Sequence, residues 1–269
     1  MIEPYYKNDL VTLYHGDCLE VMDGLDPVVF DAVITDPPYG NGKTACKWDA
    51  VIPFELMWPM IWSHVKGNGA VCLFSNEPFT SKMICSNLED FRYRWNWRKE
   101  SGGAFQLAKV QPMSVVEDIC VFSKGRCANG ASNPMVYYPI MTKRENGDVR
   151  AGGKPVCSDI LNKCNMVALH KTYTHKYPTT VLEFTKPYGA ARLHPTQKPV
   201  PLLEYLVRTY TVEGESVLDF TAGSGSLGEA CMNLDRRCVL IEKDEKYCEI
   251  TAKRLDDVLS RKSMELDFG

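Results

Sequence analysis

The chain has 269 residues, 45% of them hydrophobic and 24% charged, with a formal net charge of −3, ordinary values for a soluble globular protein of one α/β domain plus an insertion or of two small domains. No apolar run approaches the ~20 residues that cross a bilayer, and the N-terminal MIEPYYKNDL lacks the basic-then-apolar pattern of a signal peptide, so the expected location is cytoplasmic. Eleven cysteines are scattered through apolar segments (Cys72, Cys85, Cys120, Cys231, Cys238) without a CxxC pair, which fits reduced, buried thiols; a zinc site from Cys157, Cys164, His170 and His175 finds no familiar ligand spacing, and no metal is expected.

In chain order, LVTLYHGDCLEVMDGL (10–25) reads as a strand ending at Asp17 with a helix after it. FDAVIT (30–35) is short, β-branched and flanked by polar residues, a buried strand. Asp36 stands at its end, and Pro37 and Pro38, lacking N–H groups, stop the ladder and stiffen the corner before Tyr39. Taken alone, this corner also suits a polyproline turn with a solvated Asp and a packed Tyr. GNGKTACKWDA (40–50) reads as a loop that closes over a ligand or as an ordinary connection. GAVCLF (69–74) and EDICVFSK (117–124) read as further strands, with SNEPF after the first facing the active-site edge.

The middle is basic. Residues 91–200 hold 17 Lys and Arg against 7 Asp and Glu, and the remainder 14 against 27. With aromatics interleaved in FRYRWNWRK (91–99) and HKTYTHKYP (170–178), this segment suits a phosphate-facing surface or a solvated basic face. HPTQKPV reads as an extended lead-in to a helix. SVLDF is then a strand, the glycines Gly223, Gly225 and Gly228 follow in a GxGxxG pattern, LGEACMNL is helical, RCVLIE is a strand ending in Glu242, and KDEKYCEITAKRLDDVL is an amphipathic helix. Glu242 lies 19 residues beyond Gly223, near the separation at which a strand-end acid binds ribose hydroxyls, so the unit suits a nucleoside-containing cofactor or a structural glycine turn. A dinucleotide enzyme opens with such a unit; here it comes last. The order becomes sensible if the C-terminal helix feeds the N-terminal strand, a circular permutation that neighbouring termini tolerate.

With DPPY at 36–39, a basic middle, HPTQKPVPLLEYLV at 194–207 and DFTAGSGS at 219–226, the chain resembles the S-adenosylmethionine-dependent DNA amino-methyltransferases of the permuted beta class, over all but roughly Gly125 to Pro187. The resemblance implies an α/β fold: a Rossmann-like methyltransferase sheet, circularly permuted, with an inserted target-recognition region. It divides the chain into a catalytic domain, 1–124 and 188–269, and a target-recognition insertion, 125–187. It implies transfer of a methyl group from S-adenosyl-L-methionine to the N6 amine of a flipped-out adenine in double-stranded DNA, with N4-cytosine as the alternative.

The chemistry asks for acceptors against the amino hydrogens, because the amine's lone pair is delocalised into the ring; Asp36 and the Pro37 carbonyl are the candidates, with Pro38 fixing the corner and Tyr39 stacking on the extruded base. For the cofactor the resemblance implies Gly223, Gly225 and Asp219 at the methionine part, Glu242 at the ribose, Phe220 lining the pocket, Asp17 at the adenine end, and Thr196, Gln197 and Lys198 beside the methionine end. As alternatives, Asp219 caps the following helix, and Asp17 and Glu242 are ordinary strand-end carboxylates. A regulatory DNA-binding module and a nicotinamide oxidoreductase are the readings from other classes. A homodimer is compatible with the resemblance, though the sequence holds no dimer motif, and nothing in it bears on a partner endonuclease.

Overall fold

The protein, studied as a computed structural model, is described over residues 2–25, 30–40, 49–103, 105–145, 149–151, 171–187, 189, 193 and 196–268. Its elements are β1 (Tyr6–Lys7), β2 (Val11–His15), α1 (Cys18–Gly24), β3 (Phe30–Thr35), α2 (Phe54–His64), β4 (Val65–Ser75), α3 (Phe79–Ser86), β5 (Phe91–Gly103), β6 (Ser114–Phe122), β7 (Thr142–Lys143), β8 (Val149–Ala151), β9 (Lys171–Tyr173), β10 (His175–Lys176), β11 (Val181–Glu183), α4 (Val200–Tyr210), β12 (Ser216–Asp219), α5 (Ser226–Asn233), β13 (Arg237–Glu242) and α6 (Glu245–Phe268).

Nine strands form one sheet in the order β1-β2-β13-β12-β3-β4-β6-β5-β11. The five from β2 to β4 in that order are parallel, while β6 is antiparallel to both β4 and β5. The last two strands of the chain therefore sit in the middle of the sheet, between β2 and β3, which is the permutation expected from the motif order. The central strands bury both faces. Ala32, Ile34, Cys72 and Phe74 point into the cluster packed by α4, α5 and α6, and Val33, Val71 and Leu73 into the cluster packed by α1, α2 and α3. A strand buried on both faces carries a continuous apolar run, which is why FDAVIT and AVCLF show no alternation.

The segment FRYRWNWRK requires a correction. It forms β5, and its period-2 alternation turns Tyr93, Trp95 and Trp97 onto the core face, where Trp95 and Trp97 are buried and donate to the Tyr210 hydroxyl (2.7 Å) and the Phe184 carbonyl (2.9 Å). The arginines on the other face pair with acids: Arg94 with Asp118 at 3.5 Å and Arg98 with Glu183 at 2.9 Å. These aromatics are core, not part of a phosphate-facing surface. Cys85 differs as well: it lies exposed on α3, whose buried positions are Phe79, Thr80 and Met83. All eight cysteines among the described residues are free, and six of them are buried.

The chain divides into two compact units, one of residues 1–138 and 180–269 and one of Pro139–Thr179. The second contains two short antiparallel pairs, β7 with β10 and β8 with β9. It lies within the 125–187 span, whose last strand, β11, belongs to the large sheet beside β5. The 41–48 part of the 40–50 loop and the residues Cys157, Cys164 and His170 lie outside the described residues. Among the described residues no cluster of metal ligands occurs, and no helix is long and apolar enough to cross a membrane.

Replacing Trp97 by Ala is expected to cost about 3–5 kcal/mol, since it empties a large core site, whereas Arg98→Ala on the same strand should cost no more than about 1 kcal/mol, its ion pair being exposed. Urea denaturation of the two variants side by side measures the contrast.

Candidate active site

Between β12 and β3 the sheet reverses its direction of growth. The chain steps from β12 outward to β13 on one side, with β2 beyond it in the sheet, and from β3 to β4 on the other. Ligands of open α/β sheets bind beyond the strand ends at such a reversal, where the crossovers leave a crevice. A cavity of about 1160 Å³ opens there. Of the thirteen residues expected from sequence, Asp17, Asp36, Pro37, Pro38, Tyr39, Thr196, Gln197, Lys198, Asp219, Phe220, Gly223 and Glu242 all line it. Gly225 does not; it shapes the turn from behind, as the N-cap of α5 with φ +72°, where an added Cβ would lie 2.5 Å from Thr251 Cγ2.

On the glycine-turn side, Asp219 ends β12 and is buried. Its Oδ1 accepts from the Thr35 hydroxyl at 2.6 Å and from the Thr221 amide at 3.1 Å. Asp219 therefore does not cap α5. Burial, opposed by those hydrogen bonds and reinforced by Asp36 and Glu242, pushes its carboxyl up to about 7. Gly223 takes φ +54°, a conformation that suits glycine, and its amide donates to Glu242 Oε2 at 2.7 Å, while Oε1 accepts from the Asp244 amide at 2.8 Å. Gly228 lets α5 approach the sheet: a Cβ there would meet Leu240 at 2.8 Å. Asp17 caps α1 by accepting from the Leu19 amide at 3.0 Å and pairs with Lys243 at 3.0 Å. Gln197 accepts from the Leu193 amide at 2.7 Å, and Thr196 is exposed at the rim. His194 and Pro195 lie outside the described residues.

On the other side stands the proline corner. The Tyr39 hydroxyl donates to Asp36 Oδ1 at 2.5 Å and approaches Glu117 Oε1 at 3.4 Å, and its ring stacks on Phe79 with centroids 5.2 Å apart. Lys198, buried, pairs with Asp36 Oδ2 at 2.8 Å and with Glu117 Oε1, and Lys99 holds Glu117 Oε2 at 2.5 Å. Burial raises the Asp36 carboxyl against the pull of Lys198, and the like charge of Glu117 adds to the rise. Burial works against the Lys198 ammonium, but Asp36 and Glu117 outweigh it and hold its proton more tightly than usual. Burial and the two carboxylates also raise the Tyr39 phenol, which stays a donor.

Glu117, Lys99, Lys186 and Thr35 are cavity residues that the sequence reading did not single out. For Glu117 a signal existed: two adjacent acids, Glu117 and Asp118, head the apolar strand EDICVF, and a buried acid must find a partner. Lys99 and Lys186 gave none, since each sits in a stretch that reads as a basic face.

The profile of the DNA methylase family (N6_N4_Mtase) matches residues 30–253, most of the chain. The chain belongs to this family. Among its relatives are the Type II methyltransferase M2.DpnII of Streptococcus pneumoniae, 25% identical with 95% of this chain and 93% of that protein covered, and the DNA adenine methyltransferase YhdJ of Escherichia coli, 27% identical with 93% and 84% covered. The fold is that of M1.HpyAVI, solved as a complex with SAM (TM-score 0.62, 23% identity, 91% of this chain and 99% of that chain), and of the cytosine-N4-specific PvuII DNA methyltransferase (TM-score 0.61, 15% identity, 97% and 95%). The family resemblance carried by the four motifs therefore holds.

A carboxyl that keeps its proton to about 7 in the fold but releases it near 3.9 when solvated binds more protons folded than unfolded in between. Its contribution to stability is whole below about pH 4 and is lost as the pH rises through 7. Asp219→Asn should flatten the decline of the melting temperature between pH 4 and 8; a decline identical to that of the wild type would remove Asp219 as its source.

Proposed function

We propose that this DNA methylase transfers a methyl group from S-adenosylmethionine to the N6 amine of an adenine flipped out of double-stranded DNA. One observation carries the reading: the acceptor corner at Asp36 and the glycine turn at Asp219 meet in one cavity, joined by Thr35, whose hydroxyl also stands 2.6 Å from that of Thr221.

The donor set suits the methyl donor. Asp219 offers a carboxylate to an ammonium group, Glu242 offers oxygens with lone pairs left for ribose hydroxyls, Asp17 lies at the adenine end, and the Gly223 turn keeps the backbone free of side chains. Thr196, Gln197 and Lys198 flank the methionine end. When bound, S-adenosylmethionine supplies an electrophilic methyl carbon on a sulfonium. The chain's own part is to hold the amine: Asp36 and the Pro37 carbonyl accept its hydrogens and localise the lone pair, the prolines keep both acceptors fixed, and Tyr39, backed by Phe79, stacks on the base. No Ser or Cys nucleophile is required.

DNA reaches this edge past the β5–β6 hairpin, which continues beyond the Ser75–Asp118 pair at the end of β4. From Ser101 to Val116 the hairpin has no acid, one lysine, and the exposed side chains of Phe105 and Val110. The 125–187 span, with the Pro139–Thr179 unit inside it, is assigned to target recognition. Adenine is favoured over cytosine by the DPPY corner and by the names of the relatives; N4-cytosine is the second reading, because the cytosine-N4-specific PvuII enzyme shares the fold.

Incubation with S-adenosylmethionine and unmethylated DNA, followed by nucleoside mass spectrometry, should yield N6-methyladenine. Asp36→Ala should lower the rate by about 10²–10³-fold with cofactor binding retained. N4-methylcytosine would overturn the base assignment, and full activity of the variant would remove Asp36 from the mechanism. Replacing the exposed Lys143 or Lys176 by Ala should reduce the slope of log affinity against log salt by about one unit per lost phosphate contact. Slopes equal to that of the wild type would move DNA off that face.

A further inference from the structure

Glu117 belongs to neither the DPPY corner nor the HPTQKP and glycine motifs, yet it is 6% exposed and both its oxygens carry an ammonium partner. We propose that Glu117 is a positioning residue for methyl transfer: anchored by Lys99, it fixes the Lys198 ammonium against one oxygen of Asp36 and takes up part of that ammonium's charge, so that Asp36 remains an oriented, strongly accepting carboxylate. This rests on the reading that Asp36 receives an amine hydrogen of the flipped base.

The geometry leaves Lys198 no freedom. Its ammonium has three hydrogens, and its surroundings supply three partners: Asp36 Oδ2 at 2.8 Å, Glu117 Oε1, and the ring of Phe74 with its centroid 4.9 Å away. Asp36 is held in turn at both oxygens, by Lys198 and by the Tyr39 hydroxyl at 2.5 Å. Its carboxylate therefore cannot rotate, but about four lone-pair sites serve two donors, which leaves room for an amine hydrogen. As the amine nitrogen bonds to the methyl carbon, that carbon's bond to sulfur breaks and leaves its electron pair on a neutral thioether; the nitrogen becomes cationic and then gives up one proton to solvent. A Lys198 charge bearing on Asp36 alone would oppose that change; shared with Glu117, it does not. The charged and titratable groups facing Asp36 are Lys198, Glu117, Tyr39 and, from the end of β12, Asp219. Glu117 also faces Lys99 and Asp118, and Lys186 stands beside Lys99.

Glu117→Gln preserves the shape and removes the charge. We expect kcat to fall 10- to 100-fold while KM for DNA and for S-adenosylmethionine stay within about threefold. The acid limb of the kcat profile should move to lower pH, because Asp36 loses a like-charged neighbour and gains the whole of Lys198. The double variant Glu117→Gln/Lys198→Met should be no slower than the slower of its two single variants. An unchanged kcat, an acid limb that stays in place, or a loss of rate matched by loss of cofactor binding or of melting temperature would overturn the proposal, the last making Glu117 a residue of the fold only. The wild-type reaction run alongside separates this failure from that of the underlying reading: a wild type that methylates no DNA takes both down, whereas an active wild type with an equally active Glu117→Gln takes down only the role of Glu117.

Discussion

The parallel pairing of β3 with β12, Ala32 against Val217 and Val33 against Leu218, is the constraint on which the site depends. These strands lie far apart in sequence, and each carries one half of the site at its C-terminal end: the proline corner after Thr35 and the glycine turn after Asp219. Because side chains alternate along a strand, a slip of one residue would invert every core contact of both, so burial on two faces fixes the register tightly. The register in turn brings the Thr35 hydroxyl to the Asp219 carboxylate. The hydrogen bond between them is the seam between the proline corner and the glycine turn.

Around that seam the protein keeps several charges out of water. Removing a single charge from solvent costs several kcal/mol unless it is paired and hydrogen-bonded. Here the charges come in a chain from Lys99 through Glu117 and Lys198 to Asp36, so each buried carboxylate touches an ammonium. Such a chain is a weak contributor to stability compared with well-packed apolar groups. Its value lies in geometry: it fixes where the Asp36 oxygens point. Asp219 shows the other solution, since without a cationic partner it relies on neutral donors and holds its proton to about 7.

The legible parts of this chain were those with local physical signatures. The strands FDAVIT, GAVCLF, EDICVF, SVLDF and RCVLIE, the two C-terminal helices and the glycine turn declared themselves through apolar runs, helical period and positive-φ glycines, and the structure has each of them. FRYRWNWRK was misread because composition alone cannot tell which face of a strand a residue occupies; alternate positions of one segment serve the core and the solvent, so the tryptophans went inward and the arginines outward. Cys85 was misplaced for the same reason, being on the wrong side of a helix.

The sequence by itself determined the order of the motifs, the stiffness of the DPPY corner, the permuted succession of elements and, through these, the family. Such features are encoded by neighbours in the chain. Only the tertiary structure decided which distant residues meet: that Asp36 and Asp219 share a cavity across one strand pairing, that Asp17 caps a helix at its rim, and that Glu117, Lys99 and Lys198 form a buried ion-pair chain. Each partner there is separated from the next by many residues and carries no local pattern. The cost of burying one charge, and so the need for the next, arises only once the sheet has closed around them.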